Sequence, residues 1–181
     1  MKRLSLSLLA AFAFSPLLPA ADHVVYEPAG KAAGKHVVLL SGDEEYRSEE
    51  AMPMLGKILS QRHGFKCTVL FSLNDKGEID PGAGGSLTHP EALDSADAIV
   101  MLLRFRHWDV ATSGKFQAAI NRGVPIIALT ANAMSHQIQA CMIAGMDGHV
   151  SKPLEAAKLF EALETALAAG EAVVEADRAR A

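Results

Sequence analysis

With 181 residues, 50% of them apolar and 21% charged, the chain has material for one domain with a sizeable core and short appendages. Its 17 basic residues against 21 acidic ones give a net charge of −4, which leaves no basic footprint for nucleic acid. One Trp and two Tyr also exclude a run of aromatic platforms for stacking bases.

The chain opens with Lys2 and Arg3, an apolar run from Leu4 to Phe14, and a small-residue exit over Ser15 to Ala21. That pattern predicts a secretory signal peptide cleaved near Ala20 or Ala21, too short for a membrane span, with an uncleaved tether as the alternative. A secreted or periplasmic protein, free of the membrane after cleavage, is the expectation. Residues 22–35 read as an extended, partly mobile lead-in.

His36 to Leu40 is the first buried strand and runs into the polar turn Ser41-Gly42-Asp43-Glu44-Glu45. A helix over about 50–62 follows, with Leu55, Ile58, Leu59 and Arg62 on adjacent turns and Gly64 as its stop. Pro53 is tolerated near a first turn, so this helix is expected to start late. Phe65 to Phe71 is the second strand. The loop from Ser72 to His89 carries four glycines (77, 82, 84 and 85) but ends in no GKS or GKT, so it is no phosphate-binding loop. Mobile surface and a flap over a site are its two readings. Pro90 to Ser95 suits one helical turn. Ala98 to Leu103 is the third strand, leading into Arg104-Phe105-Arg106-His107-Trp108-Asp109, and a helix over about 111–122 stops at Gly123.

Pro125 to Leu129 is the fourth strand and delivers Thr130. Met134, Ile138, Cys141 and Met142 repeat at helical spacing, with Gly145 as a left-handed stop. His149 and Val150 begin a fifth strand that delivers Ser151, Lys152 and Pro153. The last helix, Glu155 to Ala169, shows a stripe of Leu159, Phe160, Leu163 and Leu167, and residues 170–181 read as a frayed tail. Strand and helix alternate throughout, which predicts an α/β three-layer sandwich over 36–169. A flavodoxin-like, five-stranded parallel sheet of order 2-1-3-4-5 follows from right-handed crossovers.

In such a sheet ligands sit beyond the carboxyl ends of the strands. Thr130 and Lys152 then face one crevice, a hydroxyl and an ammonium that together suit an anion; the other reading has Thr130 capping a helix and Lys152 solvated. One of Arg104 and Arg106, which follow the third strand, is expected to join that crevice to bind a phosphate, carboxylate or sugar acid. The competing arrangement pairs each Arg with Asp43, Glu44 or Glu45. Asp43 and Glu44, with Glu45, are candidates for a hard cation such as Mg²⁺, against a solvated acidic turn. Cys67 and Cys141 are expected as unpaired buried thiols. No catalytic residue is assigned: Thr130-Ala131-Asn132 offers no activated nucleophile, and His107 and His136 could each serve as a base, against a surface position for both.

Two family resemblances overlay these residues. IIALTANA and AGMDGHVSKP, within 124–167, resemble the second half of a response-regulator receiver domain. The resemblance implies a switch hydroxyl at Thr130, a phosphate-pairing lysine at Lys152, a cis Lys152–Pro153 bond and a protein-binding face. KHVVLLSGDEEYRSEE, EALDSADAIVMLLRFRHW and the rest of 35–123 resemble exported ThuA-like proteins of the class I glutamine amidotransferase-like fold, with GDEEYRSEE and RFR near the site. The join near Val124 gives the chain a chimeric look. A receiver needs an aspartate at the end of its third strand, and Leu102 or Leu103 stands there. Three functions follow: an exported ThuA-like domain binding a small polar or anionic, carbohydrate-related ligand; a degenerate receiver; or a recombinant fold without evolved function.

Overall fold

The computed structural model describes residues 22–130 and 135–178, so the leader stretch, Ala131 to Met134 and the last three residues lie outside the description. The strands are β1 (His23–Tyr26), β2 (His36–Gly42), β3 (Lys66–Leu70), β4 (Ala98–Leu103), β5 (Ile126–Thr130) and β6 (Gly148–Ser151). They form one six-stranded sheet in the order β1-β3-β2-β4-β5-β6. The helices are α1 (Ser48–His63), α2 (Val110–Asn121), α3 (Ser135–Ile143) and α4 (Ala156–Arg178), with a 3-10 turn at Pro90–Ser95.

This α/β, flavodoxin-like sheet corrects the expected five parallel strands. β2 to β6 pair in parallel, but β1 adds a sixth, antiparallel strand against β3. It forms within the residues expected to be mobile lead-in. Four residues are too few for a period to show, and β1 is fixed by its distant partner rather than by its own propensity. The rest of the lead-in is docked too: Ala33 N–H donates to Gly64 O at 2.8 Å. Gly64 has φ 73°, and a Cβ there would lie 2.3 Å from Lys31 O, so its glycine both ends α1 and admits the lead-in.

The buried strands are apolar on both faces because helices cover both. Val37, Leu39, Val100 and Leu102 pack with Leu55 and Leu59 of α1 and Leu159 and Leu163 of α4. Val38, Leu40 and Ile99 face the other way, with Leu93 of the 3-10 turn and Ala119 of α2. Each such side chain contributes roughly 1.5–3 kcal/mol of burial. The sheet passes through Val124 unbroken, since β5 pairs with β4 on one side and β6 on the other.

Two helix boundaries are corrected. α1 starts at Ser48 and keeps Pro53 inside; its entry is set by Arg47 in the left-handed region and by Glu49 and Glu50, whose charge favours a helix amino end. α4 runs to Arg178 instead of fraying at Gly170, and Lys35 Nζ lies 2.7 Å from Glu171 Oε1 alongside that extension. The stripe of α3 is only half-sunk: Ile138 and Cys141 are partly buried and Met142 is exposed. Both cysteines are free, Cys67 buried as expected and Cys141 only partly so. Burial pushes the Cys67 thiol up to about 12. No described helix is long and apolar enough to cross a membrane.

Candidate functional site: a charged rim at the strand ends

The carboxyl ends of β2, β4, β5 and β6 converge on one rim. Gly42 of β2 is opposite Leu103 of β4, and Thr130 of β5 is opposite Ser151 of β6. Lys152 N–H donates to Thr130 O at 3.0 Å, which brings these two residues side by side. The Lys152–Pro153 peptide is cis, as the receiver resemblance implies.

A short hydrogen-bonded clamp fixes the acidic turn. Asp43 N–H donates to Ser48 Oγ at 2.8 Å, and the Ser41 hydroxyl donates to the same oxygen at 3.1 Å. The Glu45 N–H in turn donates to Asp43 Oδ1 at 3.0 Å. Ser41 and Ser48 are buried, so their hydroxyls supply the partners that this polar turn would otherwise lack.

The turn's carboxylates meet the chain's own cations. Lys152 Nζ lies 3.7 Å from Asp43 Oδ2, with the side chains 15% and 8% exposed. That is an ion pair too long for a direct hydrogen bond, and the ammonium has no hydrogen-bond acceptor among the described residues. It rests on the face of Tyr46, 2.9 Å from the ring centroid. Burial lowers the Lys152 pKa, opposed by the charges of Asp43 and Glu45. Arg104 pairs with Glu45 and, at 3.5 Å, with Glu44. The acidic turn therefore bridges Arg104 to Lys152.

Arg106 has a different task. The strand does not continue past Leu103: Phe105 turns through the left-handed region at φ 52°, which sends Arg104 and Arg106 to different partners. Arg106 enters the Ser72 to His89 loop and donates to Ser72 Oγ (3.0 Å), Ala83 O (3.1 Å), Pro81 O (2.9 Å) and Arg104 O (2.6 Å). Its side chain is 9% exposed. Gly84 closes the same loop over His107, where a Cβ would lie 2.6 Å from the imidazole. These bonds pin the loop to the end of β4.

The structure thus joins Asp43, Glu44, Glu45, Arg104, Thr130 and Lys152 at one rim and sets Arg106 beneath it. Sequence reasoning missed Tyr46 and Ser48, both inside the quoted GDEEYRSEE; their roles depend on a left-handed turn at Arg47 that no periodicity announces. His136 and the Ala131-Asn132 elbow lie outside the described side chains. Asp43 and Glu44 fit a hard cation poorly, because each is already faced by a cationic side chain. No group of three His, Cys, Asp or Glu that could hold a metal occurs among the described residues.

No family model matches the chain. One segment of 41 residues, 23% of this chain, is 46% identical to "Probable histidine kinase 1" of Oryza sativa subsp. indica, and it spans 4% of that protein. Among solved structures, the chain is similar to NtrX from Brucella abortus, with TM-score 0.53 and 13% identity over 80% of this chain and 30% of that one. It is also similar to the receiver domain of a sensor histidine kinase from Pseudomonas aeruginosa PAO1, a domain crystallised with magnesium in its active site cleft. There the TM-score is 0.47 and the identity 26%, over 74% of this chain and 98% of that one. The solved structures speak to the fold, and none of these matches is to a ThuA-like protein.

Proposed function

We propose that the chain is a receiver-like protein-binding module that works without aspartyl phosphorylation. One observation carries the reading: the strand-end position facing Gly42 holds Leu103, while Lys152 already has a carboxylate partner in Asp43. An acyl phosphate needs a carboxylate at that strand end, and the lysine that would pair with it is committed to Asp43 in the turn after β2. The short identity to a histidine kinase supports a setting in phosphorelay signalling. The leader-like start supports export, and a module independent of phosphoryl donors suits a compartment without acetyl phosphate.

Mg²⁺ is not required in this reading, since the acidic turn is neutralised from within. Incubation with acetyl phosphate and Mg²⁺, followed by intact mass measurement, should leave the mass unchanged. A purified histidine-kinase core should bind the chain equally with and without the donor. A labile phosphate adduct, or binding that appears only with the donor, would overturn the proposal.

A further inference from the structure

A second site lies beside the rim, on the α2 side of β4. A cavity of about 370 Å³ opens between the end of β4, the 104–109 turn and α2, at the small end of the range of ligand pockets. Met101 and Leu103, two residues apart and so on one face of β4, make the floor. Phe105, Trp108 and Phe116 make the walls, with the Trp108 and Phe116 rings edge to face at 5.7 Å between centroids. Arg104 stands at the mouth, its guanidinium carbon 4.8 Å from the Phe105 ring centroid. The lining contains no carboxylate.

Two observations converge on one ligand chemistry. Flat aromatic walls over an apolar floor select a planar ring. A lining with arginine and no acid selects an anion. Arg104 spends Nη1 on Glu44 and Glu45, but that pair is solvent-exposed and weak enough to share. Arg106, whose guanidinium is consumed by the loop it pins, contributes charge and no donor.

We infer that this cavity binds a small aromatic carboxylate, with the ring between Phe105, Trp108 and Phe116 and the carboxylate at Arg104. The site does not depend on the protein-binding reading, and neither phosphate nor metal enters it.

Trp108 is the only tryptophan of the chain, so its emission reports the cavity directly. Titration with benzoate, excited at the red edge of indole absorption, should give a saturable change. Benzyl alcohol, the neutral analogue, and acetate, the ringless one, should each bind roughly tenfold or more weaker. Arg104→Gln should weaken benzoate by about the same factor and leave benzyl alcohol unaffected. Phe116→Leu should weaken both ring compounds while circular dichroism stays unchanged. Equal binding of benzoate and benzyl alcohol would overturn the inference. So would no saturable response, or a response that survives Arg104→Gln undiminished.

Discussion

The Lys152–Asp43 pair and the Arg104–Glu45 pair look alike on paper and differ in what surrounds them. Lys152 and Asp43 are both largely buried, so removing one leaves the other as an uncompensated charge. Asp43→Asn should cost about 3 kcal/mol in urea unfolding, and Lys152→Met in the same chain should recover part of it. Arg104 and Glu45 are 38% and 52% exposed, and Arg104→Ala should change stability by no more than about 0.5 kcal/mol. The buried lysine also sets a pH dependence. Its folded pKa lies below the ordinary 10.5, so the unfolded chain binds more protons between the two values and stability rises with pH through that window. Asp43→Asn removes the main influence opposing burial and should extend the rise toward lower pH, as seen in unfolding midpoints across an alkaline series.

Arg106 and Gly64 act on whole segments. The guanidinium holds the 72–89 loop through bonds to Ser72, Pro81 and Ala83, in a fork that one ammonium cannot reproduce. Arg106→Lys should therefore raise amide exchange across residues 80–88 while β2 and β4 stay protected, by hydrogen-exchange mass spectrometry. Gly64→Ala meets the Lys31 carbonyl and a positive φ together, and should lower stability by about 1–2 kcal/mol with loss of protection in β1. These segments mark where the sequence was legible and where it was not. The strands β2, β4 and β5 could be read because unbroken apolar runs are a local signal of two-sided burial. β1, the pinned loop and the extended α4 could not, because each is held by a distant partner: Cys67 to Leu70 for β1, Arg106 for the loop, Lys35 for α4. At the rim, Thr130, Lys152 and the acidic turn could be placed from strand ends alone, while Tyr46 needed the turn geometry.

Across the whole molecule the segments before and after Val124 meet inside one sheet, so the chain from β1 to α4 should unfold as a unit. Far-ultraviolet circular dichroism, which reports all helices, and Trp108 emission, which reports the part before Val124, should give coincident denaturant transitions. Separate midpoints would show that the two parts fold independently. β1 has one more consequence. It runs antiparallel to β3 with His23 opposite Leu70, so the polypeptide enters the fold at the end of the sheet where Asp43 and Lys152 stand. Were the residues ahead of Asp22 to stay fastened to a surface, the cleft would be turned toward the anchorage rather than away from it, and a partner would have to approach through the gap between.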